Sequence, residues 1–176
     1  MGRSDGLDHG AFVFTSNVDG HFPKAGFAEQ RIVECHGSIH WLQCAEACRT
    51  HLWSANELFA EVDEAHCRLL SSLPRCPRCA AVARPNILMF GDSAWVETRL
   101  EQQMTRLRSW LPNVRKLIVV ELGAGRAIPT VRHFGERYGP RVVRINPREY
   151  AIDPRRGLGK EGNAVDVLCL LDGMLT

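Results

Sequence analysis

The residues best suited to chemistry in this sequence are two short-spaced cysteine pairs, Cys44-x3-Cys48 and Cys76-x2-Cys79. Each spacing lets two thiolates converge on one ion, and four thiolates complete the closed tetrahedral shell of a structural Zn2+. Pro77 stiffens the second pair. The sequence holds 7 cysteines, and in a reducing compartment that number argues for metal or free thiols rather than a disulfide framework. Cys35 stands outside the pattern. Cys169 lies in an apolar run and is expected in the core, whereas Cys67 beside His66 offers a spare ligand. Two other groupings have weaker local meaning. N-V-D-G at Asn17–Gly20 is a turn-forming combination. Gly157, Gly159 and Gly162 spell G-x-G-x-x-G, but Asp153–Arg156 precedes them where the dinucleotide fingerprint needs an apolar strand. These glycines are therefore read as a loop.

The elements that must position such residues follow from hydrophobic spacing. Ala11–Thr15 and Arg31–Cys35 are short apolar runs that suit buried strands. Ser54 and Glu57 have capping-box spacing, and Leu58, Val62, Leu69 and Leu73 behind them predict a helix. Val96, Leu100, Met104, Leu107 and Leu111 repeat at three and four residues, which predicts an amphipathic helix over Val96–Leu111 that Pro112 ends. Lys116–Leu122 is the strongest strand. Pro129 opens the next helix, with Ile128, Val131 and Phe134 on its core face. Arg141–Ile145 is a further strand, and Ala164–Leu171 a last helix burying Val165, Leu168 and Leu171. Alternation of strand and helix in the second half predicts an α/β fold with right-handed parallel crossovers and a doubly wound sheet. Ligands of such sheets bind at the carboxyl ends of the strands.

The chain has 176 residues, enough for one α/β domain with a small insert. Net charge is +2, and Arg106, Arg108, Arg115, Arg126 and Arg132 are spread out, so they read as a solvated surface and no direct nucleic-acid partner is expected. No stretch approaches the ~20 apolar residues that span a bilayer, and the first ten residues lack the apolar core of a signal peptide. A cytoplasmic location, with no membrane partner, is the expectation.

Several motifs then agree. Thr15–Gly26 (TSNVDGHFPKAG), Glu34–Ser38 (ECHGS), the two cysteine pairs, Ala83–Asp92 (ARPNILMFGD), Glu121–Gly125 (ELGAG) and Arg144–Glu149 (RINPRE) occur in the order found in sirtuins. From about Phe12 to its C-terminus the chain resembles a Sir2-type NAD-dependent protein deacylase. The resemblance implies a Rossmann-like NAD-binding domain from 1–43 and 80–176, with a zinc-binding module inserted at 44–79. It implies NAD as cofactor and an acylated lysine in a protein or peptide as substrate. In that family the acyl oxygen displaces nicotinamide from the ribose of NAD, and a histidine accepts a ribose proton. His36 takes that place, and its near-neutral intrinsic pKa suits the task.

By the same resemblance Ser16, Asn17, Val18 and Asp19 line the nicotinamide side of the pocket, with Ser16 standing where the family usually has Gln. Asn17 and Asp19 accompany His36 in the catalytic set. Gly123, Ala124 and Gly125 match the turn beside the cofactor ribose and phosphate, where small residues allow close approach. Asn146 matches an asparagine near the adenosine ribose, and Ala164 lies in the segment that meets adenine. Met89, Phe90, Gly91 and Asp92 match the strand that pairs with an extended peptide substrate. Protein ADP-ribosylation on the same scaffold, and a catalytically silent zinc-stabilised binding module, are the alternatives. The family's G-A-G-x-S segment and D-F-R stretch have no match in the sequence. The expectation is therefore a partial Rossmann-like domain, either a fragment or truncated product or one whose phosphate turn a complementing chain supplies, with weak NAD binding and no measurable deacylation by these residues alone.

Overall fold

A computed structural model describes residues 8–48, 50–139 and 141–174. The chain divides into two compact units, Met1–Leu111 and Pro112–Thr176.

In the first unit β1 (Val13–Thr15) pairs in parallel with β2 (Ile32–Glu34). Between them lie the short helix α1 (His21–Lys24) and a 3-10 turn at Glu29–Arg31. Ile32 and Val33 are almost wholly buried, which stabilises by about 1.5–3 kcal/mol each. The long strand β3 (Gly37–Cys44) runs antiparallel to both β4 (Leu52–Ser54) and β7 (Ala83–Ile87). Helix α2 (Thr98–Trp110) covers β2, with Leu107 buried and Leu100 and Met104 half-buried on the expected face. The buried centre is not wholly apolar. Gln43 is fully buried, donates to the Ala94 carbonyl at 2.8 Å, and accepts from Asn86 Nδ2 at 2.8 Å and from Val96 N at 3.1 Å. Asn86 also donates to the Val96 carbonyl at 2.9 Å. These four bonds link β3, β7 and the entry to α2, so the polar pair fixes them in one register.

The helix predicted behind Ser54 does not form. That segment holds a small hairpin, β5 (Val62–Asp63) with β6 (Arg68–Leu69). The Ser54 hydroxyl accepts from Asn56 N at 3.0 Å, a local turn that competes with helix initiation.

In the second unit β8 (Val119–Leu122), β9 (Val142–Asn146) and β10 (Gly157–Glu161) form a parallel sheet in the order β10-β9-β8. Helix α3 (Thr130–Tyr138) links β8 to β9, and α4 (Ala164–Met174) follows β10. Three expectations are corrected here. The Gly157–Gly162 stretch is mainly a strand, not a loop. A Cβ on Gly157 would stand 1.9 Å from the Val142 carbonyl, and one on Gly159 2.2 Å from that of Tyr150. The glycines serve close backbone approach, so no apolar pattern betrays the strand. Helix α4 buries Val167, while Val165, Leu168 and Leu171 are exposed. Cys169 on it is exposed too, not core.

Candidate functional site

Cys44 ends β3 and Cys48 follows within one turn, while Cys76 and Cys79 occupy a tight turn closed by Cys76 N to Ala81 O at 2.8 Å and Ala80 N to Cys76 O at 3.0 Å. The four sulfurs lie within 4.8 Å of one another. Cys44 Sγ is 3.6 Å from Cys79 Sγ, and Cys48 Sγ is 3.7 Å from Cys76 Sγ. A tetrahedron with Zn–S bonds of about 2.3 Å requires sulfur edges of roughly 3.8 Å, so the chain's own geometry fits zinc. The thiols divide in acidity. Backbone N–H groups of Cys79 and Arg78 bring Cys76 down to about 7, whereas thiol bonding with Cys79 and Cys44 pushes Cys48 up to about 12. A cation placed among them would bring all four to thiolates. Cys67 and His66 stay outside the cluster, since His66 Nδ1 pairs with Asp63 at 2.8 Å.

His36 sits half-buried in the two-residue turn between β2 and β3, with its carbonyl accepting from Leu88 N at 3.0 Å. Cys35 beside it is buried, which pushes its thiol up to about 12 and leaves it inert. Gly37 has φ +85, and a Cβ there would lie 1.9 Å from the Asn86 carbonyl. Beneath the turn, Glu34 is buried and paired with Arg99 at 2.5 Å, and its N–H donates to Gln103 Oε1 at 3.0 Å.

The Asn17–Asp19 loop is fastened to the same strand. Pairing between β3 and β7 slips across Ser38–Leu42, a bulge that turns backbone groups away from the ladder. The released Ile39 N–H donates to the Val18 carbonyl at 2.9 Å. His40 Nε2 lies 3.1 Å from the Asp19 carbonyl, and its ring fills the space against Gly20. At the loop's start, Thr15 Oγ1 accepts from Asn17 N at 3.0 Å, and the Asp19 carboxylate accepts from His21 N at 3.0 Å. Ser16, Val18 and Asp19 are half-buried and Asn17 is exposed. Thus His36 and the Asn17–Asp19 loop come together on β3. The sequence gives little sign of the fastening residues Ile39 and His40, whose signal is a bulge rather than a motif.

Met89–Asp92 form a turn after β7, not the expected strand, because Asp92 folds back on Arg84 with contacts of 2.8 and 2.7 Å and is largely buried. Met89 and Phe90 are exposed, the latter at 91%. In the second unit the Gly123–Gly125 turn follows β8, and Asn146 binds it by donating to the Ala124 carbonyl at 3.3 Å. Asn146 Oδ1 accepts from Arg148 N and Glu149 N at 2.9 and 2.8 Å, so its amide organises two turns. Gly162 N reaches the Asn146 carbonyl at 3.4 Å, and Asn163 caps α4 just before Ala164, accepting from Asp166 N at 2.9 Å. Those three turns, Gly123–Gly125, Asn146–Glu149 and Gly162–Ala164, therefore gather at the carboxyl ends of β8, β9 and β10. Under them Arg144 bonds Glu121 at 2.6 and 2.9 Å and Glu136 at 2.6 Å, a buried network that sequence spacing does not announce.

A family model described as "Sir2 family" matches residues 6–120. Among curated proteins, an "NAD-dependent protein deacylase" of Pyrococcus furiosus is 30% identical over 158 residues, covering 89% of this chain and 58% of its own length. A "Probable bifunctional ADP-ribose hydrolase/ADP-ribosyltransferase" of Fusarium oxysporum f. sp. cubense is 27% identical over 170 residues, with 90% of this chain and 27% of that protein covered. The chain thus spans well under two thirds of these relatives. A solved structure described as "Sir2 bound to acetylated peptide" is 19% identical with a TM-score of 0.61, covering 94% of this chain and 64% of that one. Another, "The Structural basis of Sirtuin Substrate Affinity", is 22% identical at a TM-score of 0.59, covering 91% and 60%. At these identities the structures establish a shared α/β Rossmann-type fold. No helix among the described residues is long and apolar enough to cross a membrane.

Proposed function

Because the chain belongs to the Sir2 family, we propose that it carries the reaction face of an NAD-dependent protein lysine deacylase. The observation that carries this reading is the joint fastening of His36 and the Asn17–Asp19 loop to β3 through the Ile39–Val18 and His40–Asp19 contacts. NAD, when bound, supplies an electrophilic ribose carbon and a nicotinamide leaving group. His36 would accept the ribose hydroxyl proton, since a neutral imidazole takes up protons at cellular pH. Asn17 and Asp19, with Ser16 and Val18, would hold the carboxamide through their short polar groups and backbone. In the second unit, Gly123–Gly125 and Gly162–Ala164 would meet the adenosine half, with Asn146 setting the two turns rather than binding through its already engaged amide. Met89–Asp92 would receive the acyl-lysine peptide, with exposed Met89 and Phe90 offering apolar contact. Cys44, Cys48, Cys76 and Cys79 would hold a structural zinc in the inserted module at 44–79, apart from the NAD-binding residues at 1–43 and 80–176.

Nicotinamide release from NAD in the presence of an acetyl-lysine peptide tests the reading. Where full-length or complemented protein shows NAD-dependent deacylation, His36→Ala should lower turnover by ~100-fold or more, the scale of a lost general base, with zinc content and unfolding unchanged. Unaltered turnover in that variant removes His36 from the chemistry. Protein ADP-ribosylation is the second reading, favoured by the similarity to the Fusarium relative. Adenine-labelled NAD separates the two, because label retained on protein marks ADP-ribosyl transfer and deacylation leaves none.

A further inference from the structure

The second unit carries a cleft of about 470 Å³ between α3 and the Ala151–Arg156 connection. It is lined by Arg126, Arg132, His133 and Arg156, together with Arg144, Glu136 and Asp153. It includes none of Gly123–Gly125, Asn146 or Ala164 in its lining, and it adjoins those turns through Arg132, which donates to the Ala124 carbonyl at 2.7 Å. Arginines distant along the sequence are collected here, Arg126 from the segment before α3, Arg132 from α3, Arg144 from β9 and Arg156 from the connection.

The charges in the cleft are unevenly committed. Glu136 is bonded to Arg144 at 2.6 Å, and Arg144 is further occupied by Glu121. Asp153 is paired with Arg155 at 2.8 Å, and Arg155 is not part of the cleft lining. Both acids are thus neutralised by partners, while Arg126 and Arg156 enter no ion pair at 4.0 Å or less among the described residues. Arg132 is the decisive group. Its side chain is 7% exposed, its Nη2 is spent on the carbonyls of Ala124 and Glu149 at 2.7 and 2.9 Å, and its Nε has no hydrogen-bond acceptor. The nearest carboxylate oxygen, on Glu121, is 3.7 Å from that nitrogen, beyond hydrogen-bond distance. A buried cationic N–H without an acceptor is costly to leave unmade. The unit as a whole is basic, with eleven Arg and Lys against seven Asp and Glu over 112–176.

We infer that this cleft is an anion site for a phosphate dianion, free or carried as a phosphate monoester, held by Arg126, Arg132 and Arg156. Guanidinium groups match phosphate oxygens in planar pairs of charge-assisted bonds, and three converging arginines suit a dianion better than a single carboxylate. His133, also on the lining, offers a ring nitrogen as a further hydrogen-bonding group beside the arginines.

The inference stands apart from the deacylase reading and is tested without NAD. The chain is titrated with inorganic phosphate and, separately, with a phosphoserine peptide and its unphosphorylated form, by calorimetry and amide shifts in 15N spectra. Inorganic phosphate should perturb the amides of Arg126, His133 and Ala151–Asp153. Arg126→Gln and Arg156→Gln should each weaken it by about tenfold or more, the scale of one charge-assisted pair. Tighter binding of the phosphopeptide than of inorganic phosphate identifies a monoester as the ligand, and equal binding identifies the free ion. Unfolding midpoints without phosphate report that the variants are folded. No binding by the parent chain, or binding unchanged in the folded double variant, overturns the site.

Discussion

Gly37→Ala tests how the turn that bears His36 is held. A Cβ at this position would stand 1.9 Å from the Asn86 carbonyl oxygen, against a carbon–oxygen contact of roughly 3.3 Å that real structures tolerate. The strands β3 and β7 must therefore part by more than an ångström. The His36 carbonyl to Leu88 N bond, now 3.0 Å, then opens beyond useful range, a net loss of about 0.5–1.5 kcal/mol. Asn86 is shifted against Gln43 and Val96, and a buried amide left partly unmade costs about 1–3 kcal/mol. Alanine at φ +85 adds about 1–2 kcal/mol of backbone strain. The expected destabilisation is roughly 3–5 kcal/mol, in the class reserved for named structural causes. Urea unfolding followed by tryptophan fluorescence measures it, since Trp41, Trp53, Trp95 and Trp110 all belong to the first unit. Gly91→Ala supplies the control. That glycine has φ +67 and nothing within 4 Å of its built Cβ, so only the strain of about 1–2 kcal/mol should be seen. Equal losses in the two variants would refute the steric account.

Protein purified without chelator should contain about one zinc per chain, and Cys76→Ser should lose metal and solubility together; elemental analysis without zinc is the contrary result. Zinc uptake should release protons and weaken as pH falls, which a pH-indicator titration reads directly. Arg144→Met should cost about 3 kcal/mol, because it takes both hydrogen bonds from the Glu121 carboxylate, whose side chain is 1% exposed, and leaves it only the Arg132 guanidinium at 3.7 Å. Glu136 is held below its usual carboxyl range by Arg144. Its share of stability is present above the unfolded carboxyl pKa and lost as pH falls through the folded one, so Glu136→Gln should flatten the acid limb of the stability curve.

Much of this architecture is legible in the residues themselves. The strands around Val13–Thr15, Ile32–Glu34, Val119–Leu122 and Val142–Asn146, and helices α2 and α3, follow from apolar spacing, whereas α4 is legible as a helix but not in the face it buries. The cysteine quartet is legible because chelation needs short spacings. Elsewhere the determinant is not periodic. β10 is held by two glycines whose merit is the absence of a side chain, and Ser54 spends its hydroxyl on a turn. Asp92 has the composition of a substrate contact and the geometry of an ion pair with Arg84. Gln43 and Asn86 have side chains that composition would place in water, and both are fully buried against each other. Such cases turn on partners distant along the chain.

Strand β3 begins beside His36, gives up Ile39 and His40 to the Asn17–Asp19 loop, and ends on the first metal ligand, Cys44. Segments joined this way open to solvent as one cooperative unit rather than residue by residue. Deuterium uptake at the amides of Ile39 and Leu88 should then accelerate when the cysteines are stripped of metal, although neither amide touches a thiol. A probe placed near His36 thereby becomes a gauge of occupancy at the far end of the strand, and the thiols become a point from which oxidation or chelation reaches the loop.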